Sequence, residues 1–238
     1  MNKLINSTAF LLFFTLNIQF AHSQNSKGTI GILVGPSIPV GDFGSKDYDN
    51  NFAGFAVTGA TFEIAVDYKL GKGNWGIAAT MRGQANSHDF MAYQNELENL
   101  YSGVNWIVES DVWTLGGIML GAFRDFPIDK SISFKPRLLV GFPSASSPNI
   151  TTTAYGFGNS NWVRSNKAYS RNFGYLLGLG FKFDVSKKLS ILANADNFGT
   201  LQEFRQVEIM TSDGTRSYDT YFQPMNSINL SIGLAVKI

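Results

Sequence analysis

The segment SINLSIGLAVKI, residues 227 to 238, alternates without a break between apolar residues and small or polar ones. Period-two alternation is typical of a β-strand with one apolar and one polar face. The apolar face of such a strand meets a second sheet in a soluble sandwich and lipid in a membrane barrel. The segment therefore predicts a strand and leaves its surroundings open.

The opposite end of the sequence has the pattern of a secretory signal peptide. A short start with Lys3 precedes an apolar run, and Ala21-His22-Ser23 places small residues at the two positions that a signal peptidase reads. The run is too short for a membrane anchor and is broken by two amide side chains. We therefore expect residues 1 to 23 to be a signal peptide that is cleaved before Gln24, and residues 24 to 238 to form one domain.

The composition narrows the class of protein. The 238 residues include no cysteine, which excludes a lipoprotein acylated on Cys and any disulfide, and this fits a bacterial envelope protein better than a small secreted scaffold. The formal net charge of +1 gives no indication of a nucleic-acid surface. Beyond the leader, no stretch approaches the roughly 20 apolar residues of a transmembrane helix. A membrane location would therefore require strands.

Eight segments alternate or nearly alternate: residues 29–36, 56–70, 75–86, 105–123, 132–144, 169–184, 189–198 and 227–238. The second opposes an aromatic and aliphatic face to Glu63, Asp67 and Lys69, which strongly indicates a strand with a different environment on each face. The fourth does not keep one phase. Trp113 and Phe123 suggest that its odd positions face outward, yet Glu109 is odd too. The sequence does not decide which face of this strand points outward.

The connections alternate in length. Those at 71–74, 124–131 and 185–188 are short, whereas those at 38–55, 88–104, 145–168 and 199–222 are long and polar. Short periplasmic turns and long extracellular loops are typical of transmembrane up-and-down barrels. The alternative is a soluble lipocalin-like barrel, which has its apolar residues inside.

The size of the residues on each face favours the membrane barrel. The polar face is rich in glycine, alanine, serine and threonine, which fit inside a narrow eight-stranded ring, and the apolar face carries the bulky residues. The fold class predicted is all-β, an eight-stranded antiparallel up-and-down transmembrane β-barrel. Two interfacial girdles of aromatic residues are expected from Tyr68, Trp75, Phe123, Phe134 and Phe183 at the turns and from Trp106, Phe142 and Phe173 at the loops.

Charged residues on the polar face predict a network of ion pairs inside the barrel, because isolated charges would be expensive there and paired ones are tolerable. The alternative is a set of ordinary solvated strand faces, which need no pairing. The predicted lumenal residues are Glu63, Asp67, Lys69, Arg82, Lys135, Arg137, Lys182, Asp184, Asp196 and Lys237.

Three segments resemble a known family: GPSIPVGDFG (35–44), GYLLGLGFKF (174–183) and the terminal SINLSIGLAVKI. Together they are similar to the small outer-membrane β-barrel domains abundant in Bacteroidota, which are architectural relatives of the outer-membrane protein A type barrels. The resemblance implies an outer-membrane location and no single activity. The last strand also resembles the signal that the outer-membrane insertion machinery reads, although Ile238 stands where an aromatic residue is usual.

The sequence offers little chemistry. His88, in NSHDF (86–90), is the only imidazole after the leader, and adjacent residues of an extended chain point to opposite sides, so Ser87-His88-Asp89 is not a catalytic triad. We expect His88 to be a solvated loop histidine. The acidic stretches 42–51 and 95–99 lack the spacing of an EF-hand. We therefore predict no enzyme, no catalytic residues, and no cofactor or metal.

The function predicted is that of an integral outer-membrane barrel with a structural or surface-interaction role, a lumen packed by side chains and long extracellular loops. The alternatives are a narrow porin-like channel for small solutes, which eight strands disfavour, and an accessory barrel in protein secretion. The expected partners are outer-membrane lipid, lipopolysaccharide and the insertion machinery, with no nucleic acid; the extracellular partner is not specified.

Overall fold

A computed structural model describes residues 27–71, 73–156 and 159–238. The predicted signal peptide, residues 1 to 23, lies outside these ranges. The strands of the described chain are β1 (Gly28–Val40), β2 (Gly59–Lys69), β3 (Trp75–Ser87), β4 (Asn105–Ser110), β5 (Val112–Arg124), β6 (Phe126–Pro127), β7 (Ile132–Gly141), β8 (Ser144–Ser146), β9 (Ile150–Gly156), β10 (Asn159–Ser165), β11 (Tyr169–Arg171), β12 (Gly174–Asp184), β13 (Leu189–Thr211) and β14 (Arg216–Lys237). Helix α1 (Phe90–Leu100) lies between β3 and β4, and a short 3₁₀ turn (Gly41–Phe43) follows β1.

Eight of these strands form a closed ring. Their order is β1, β2, β3, β5, β7, β12, β13 and β14, each antiparallel to its neighbours. The ring closes where β14 returns to β1, in a register that runs from Thr29 opposite Lys237 to Val40 opposite Asn226. The predicted eight-stranded antiparallel barrel is confirmed. Closure pairs the edges of the sheet, so the ring presents no open edge to lipid.

The side chains of the ring alternate as the sequence predicts. The outward positions carry a band of large apolar residues that are open to the surroundings, such as Ile32 at 55%, Ile232 at 61% and Leu120 at 59% exposed. About five outward residues per strand suffice to cross the ~25 Å apolar layer of an outer-membrane barrel. A soluble barrel would bury these residues, so that alternative is wrong. This architecture is that of bacterial outer-membrane proteins, and the protein lies in that membrane.

The fourth predicted strand is two strands. The chain breaks at Asp111, and β4 leaves the ring to pair with β9, while β5 stays in the ring. In β5 the odd positions face inward, so Trp113 and Phe123 are buried in the lumen. Phe123 fits there because Gly76 opposite it has no side chain; a Cβ at Gly76 would lie 2.3 Å from the Phe123 ring. Phe123 is therefore not a girdle residue.

The long connections predicted as loops contain regular structure. Residues 88–104 include α1, residues 145–168 include β9 and β10, and residues 199–222 form the distal half of a long hairpin of β13 and β14. Trp106, assigned to the loop-side girdle, lies on β4 outside the ring. Beyond the membrane, β14, β13, β10, β9 and β4 make a five-stranded antiparallel sheet, here called the outer sheet. The protein thus presents an ordered sheet where the sequence predicts long polar loops.

Candidate functional site

Arg137 on β7 is the centre of the charged groups in the lumen. Its guanidinium donates two hydrogen bonds to Glu63 on β2, at 2.7 and 3.1 Å, and two to Asp196 on β13, at 3.2 and 2.7 Å. All three side chains are buried. A planar guanidinium with bidentate partners on both sides is the arrangement that best offsets the removal of these charges from water. The group joins three strands that are far apart in the chain.

The turn-side end of the lumen holds further ion pairs. Lys135 contacts Asp67 at 2.5 Å and lies over the ring of Phe123, 4.3 Å from its centroid. Asp184 accepts from Lys237 at 3.0 Å and contacts Lys182 at 3.4 Å. The lysines and aspartates of these pairs are all among the predicted lumenal residues, and the structure brings them together.

Lys69 pairs with Asp125, which is not among the predicted lumenal residues. Asp125 follows the last residue of β5, within the turn that the sequence predicts at residues 124 to 131. Its carboxylate points into the turn-side end of the lumen and is buried. A carboxylate in a short turn gives no periodic signal, so alternation could not have revealed this partner.

Arg82 differs from the other lumenal charges. It lies directly opposite Glu63 in the β2–β3 register, yet among the described residues it makes no ion pair. Its guanidinium carbon lies 4.7 Å from the centroid of the Phe198 ring, and Nη2 donates to Gln84 at 3.4 Å. The positive charge of Arg82 nevertheless contributes to the charge balance of the lumen, because the single guanidinium of Arg137 faces two carboxylates, Glu63 and Asp196.

Polar side chains and then an apolar cluster close the loop-side end of the lumen. Gln84, Asn86, Ser37, Ser227 and Asn229 form a chain of hydrogen bonds across the barrel. Above them lies the mouth cluster, which we define as Phe43, Trp113, Phe204 and Tyr221. Trp113 donates its indole N–H to the carbonyl of Gly54 at 2.9 Å, which holds the turn after β1 over the opening.

Little space is left between these layers. Two cavities in the turn-side half of the lumen have volumes of about 40 and 20 Å³, and each has room for only a few water molecules at most. Lysines line the first cavity, which lies next to Phe123 and Asp125. The described side chains therefore fill the lumen, as a narrow eight-stranded ring requires.

His88 is buried, so the expectation of a solvated loop histidine is wrong. The residue pairs with Ala56 in an isolated bridge, and its ring lies against those of Phe55 and Tyr93, with centroids 5.7 and 5.9 Å apart. Burial lowers the pKa of His88 to about 4, so the imidazole is neutral at neutral pH. The turn of residues 41 to 58 folds back over it, which periodicity in β3 could not indicate.

The neighbours of His88 do not form a catalytic set. Asp89 begins α1: its carboxylate accepts from the backbone N–H of Ala92 at 3.0 Å and pairs with Lys46. The hydrogen bond from Lys46 lowers the pKa of Asp89. Asp89 is thus occupied as a helix cap. Nδ1 of His88 is buried without a partner in the described chain.

One face of the outer sheet is open to the extracellular side. Residues that are directly paired across strands share a face, so Ile107 on β4, Thr153 on β9 and Trp162 on β10 lie in one row. The recognition face, as we call it, comprises Ile107, Glu109, Thr151, Thr153, Tyr155, Trp162, Arg164, Glu208, Met210, Arg216 and Tyr218. These side chains are exposed or half-buried. Alternation in short separate segments could not predict this surface.

Two polar contacts order the recognition face. Arg164 donates from Nε to the hydroxyl of Thr151 at 3.1 Å and lies 5.3 Å from the Trp162 ring centroid. Arg216 pairs with Glu208 at 3.0 Å. Rigid aromatic rings beside arginine are the residue types that dominate the binding energy of protein interfaces. The arrangement is suited to binding a macromolecule on a flat surface.

The residues that the structure describes include no group of three or more His, Cys, Asp or Glu side chains placed to hold a metal ion. No described helix is long and apolar enough to cross a membrane.

No protein-family model and no curated protein matches the sequence. Among solved structures, the chain is similar to Ail, the attachment invasion locus protein of Yersinia pestis, with 14% identity and a TM-score of 0.43 over 89% of this chain and 99% of that one. It is similar to Neisserial surface protein A, with 14% identity and a TM-score of 0.42 over 90% and 98%. It is also similar to a major outer membrane protein from Thermus thermophilus, with 9% identity and a TM-score of 0.49 over 89% and 99%.

Proposed function

We propose that the protein is a surface-recognition barrel: the ring anchors it in the outer membrane, and the outer sheet presents the recognition face to an extracellular macromolecule. The observation that carries the proposal is the continuation of β13 and β14 about ten residues beyond the membrane, where β10, β9 and β4 widen them into an ordered sheet. Ten residues of strand extend over roughly 30 Å. A purely structural anchor would not need this sheet.

The composition of the recognition face supports binding. Tyr155 and Tyr218 are exposed, and Trp162 lies between them with Arg164 beside it. Such rings have few rotatable bonds and therefore lose little entropy when they are covered. The α1 helix packs against β4, where Gln94 accepts from the backbone N–H of Val108 at 3.3 Å. This hydrogen bond occupies one backbone N–H on β4, the edge strand of the outer sheet. The edge is therefore partly covered, and the face is the binding surface.

The packed lumen argues against the channel alternative. The Arg137 group crosses the centre of the barrel, and the mouth cluster covers the loop-side end. In planar bilayers we expect the purified protein to give no stepwise conductance above background. Regular conductance steps from the folded protein would support the channel instead.

The recognition face is tested by site-specific photo-crosslinking on intact cells. A photoreactive residue at position 162 lies on the recognition face, and the same residue at Val163, exposed on the opposite face, is the matched control. We expect an adduct from position 162 that purified protein competes away, and no competition by the purified Trp162→Ala, Tyr218→Ala double variant. Equal adducts from both positions, or competition by the double variant, would refute the proposal.

The remaining assignments are part of the same proposal. We propose no enzymatic activity, since His88 is enclosed and Asp89 caps α1. The β14 strand is the segment that the insertion machinery reads, and the motifs in 35–44 and 174–183 support membership of the small Bacteroidota barrels. Outer-membrane lipid and lipopolysaccharide surround the apolar band.

A further inference from the structure

A groove of about 370 Å³ lies on the outer surface of the barrel, beside the start of β12 and the middle of β13 and β14, where these two strands leave the ring. Its walls are the apolar side chains of Phe173, Tyr175, Leu201 and Pro224, and amide side chains lie at its rim. The groove is open to the surroundings and does not communicate with the described lumenal cavities, which are lined by other residues.

Glycine at position 199 creates the depth of this groove. Gly199 is paired with Tyr175 on one side and Asn226 on the other. A Cβ at this position would lie 2.6 Å from the Tyr175 ring and 2.7 Å from the Asn226 side-chain oxygen. Since no side chain fits there, the backbone forms the floor and the Tyr175 ring lies against it.

The groove lies where the apolar band ends. On β14 the outward positions are apolar from Val236 to Ile228, and the next outward residue is Asn226, at the rim of the groove. Asn172 at the same rim donates to the carbonyl of Leu201 at 2.7 Å. Apolar walls below and amides above match a molecule whose chain lies in hydrocarbon and whose polar head lies in the interface.

An arginine without an acidic partner stands beside the groove. Arg171 precedes Asn172, and its Nε donates to the carbonyl of Phe142 at 3.2 Å, while the Phe142 ring packs edge-on against Phe173 in the groove wall at 6.0 Å. Within the described chain no carboxylate pairs with Arg171. By contrast, Arg205 pairs with Glu203 nearby on β13. The positive charge next to the Phe173 wall of the groove is therefore free to meet an anion.

We propose that this groove binds a lipid of the outer leaflet whose phosphorylated head group carries a net negative charge, with one acyl chain between Phe173 and Leu201 and the head group on Arg171. A guanidinium at the membrane interface attracts anionic headgroups by about 1 kcal/mol per charge. The inference rests on the membrane barrel and is independent of whatever the recognition face binds.

Native mass spectrometry of the detergent-purified barrel tests the proposal, with dioleoyl phosphatidylglycerol and dioleoyl phosphatidylcholine as probes in equal amounts. We expect the wild type to retain phosphatidylglycerol about fivefold better, the ratio that one such charge contributes. Arg171→Gln should bring the ratio close to one, while Arg124→Gln, which removes an exposed arginine at the turn-side end of β5, should leave it unchanged. Leu201→Asp should release both lipids.

Each contrary outcome overturns the proposal. Equal retention of the two lipids by the wild type, a preserved preference in Arg171→Gln, or an equal loss in Arg124→Gln would exclude Arg171 as the site of the anionic head group. Retention of lipid by Leu201→Asp would place the lipid elsewhere. Arg171 is exposed and outside the ring, so its replacement leaves folding intact, and heat-dependent gel migration checks each variant. Failure here leaves the crosslinking at position 162 unaffected, so the two proposals fail separately.

Discussion

Glu63 and Arg137 are 74 residues apart in the chain and face each other across the lumen, joined by two hydrogen bonds of 2.7 and 3.1 Å. Asp196 meets the same guanidinium from a third strand. The geometry makes Arg137 the residue on which the charge balance of the lumen depends.

Replacing Arg137 with Met should destabilise the barrel by about 3–5 kcal/mol, because it leaves two buried carboxylates without their partner. Urea unfolding in lipid vesicles, followed by tryptophan fluorescence, measures the change. Arg164→Met removes an exposed arginine and should change stability by less than about 1 kcal/mol. Adding Glu63→Gln and Asp196→Asn to Arg137→Met should restore part of the loss. Equal stabilities of the Arg137 and Arg164 variants would contradict the role given to the lumenal group.

Phe43→Ala should cost about 3–5 kcal/mol of folding stability, since Phe43 is fully buried in the mouth cluster against Trp113. Phe52→Ala, in the same connection but half-exposed, should cost less than about 1 kcal/mol. Urea unfolding in lipid vesicles measures the free energy of unfolding of both variants. A Phe43→Ala barrel as stable as Phe52→Ala would mean that the turn after β1 does not close the mouth.

The buried His88 predicts a pH dependence of stability. Its pKa is lowered from 6.5 in the unfolded chain to about 4 in the folded protein, because burial disfavours the charged ring. Between those values the unfolded chain binds a proton that the folded protein does not, so stability falls as the pH is lowered from 6.5 to 4, by about 3 kcal/mol. His88→Gln should remove this part of the slope. An unchanged slope would show that His88 is solvated.

The apolar band predicts that an arginine destabilises the barrel far more at a lipid-facing position of β14 than at a position beyond the membrane. Leu230→Arg places a charge on the lipid-facing side of β14 and should destabilise the inserted barrel by about 2–4 kcal/mol. Tyr218→Arg, on the same strand and beyond the membrane, should cost less than about 1 kcal/mol. Unfolding titrations from vesicles measure both. Similar values would mean that position 230 does not face lipid.

The alternation of residues was enough to predict the ring. Ile232 and Ile32 face outward and Glu63 and Asp196 face inward as the period of two requires, because a closed sheet gives each strand one lipid face and one lumenal face. The charged residues inside could be named for the same reason.

Other features depend on contacts that alternation does not encode. Asp125 reaches Lys69 from a turn, and Trp113 faces inward because the break at Asp111 separates β5 from β4. The outer sheet depends on pairings such as Thr153 with Trp162 in segments too short to show a pattern. The bulge between Phe204 and Val207, where Gln206 has a φ of 53°, lies in a stretch without the glycine that usually marks such a backbone conformation.

The central claim is a closed barrel with lipid outside and packed side chains inside, and gel migration of the outer-membrane fraction tests it most directly. Samples are loaded with and without boiling, since a closed membrane barrel keeps its compact form in cold detergent. We expect the protein in the membrane pellet, with a clear shift in migration on boiling. Recovery of the protein from the soluble periplasm, with no shift, would contradict the account and turn the apolar band into the lining of a cavity.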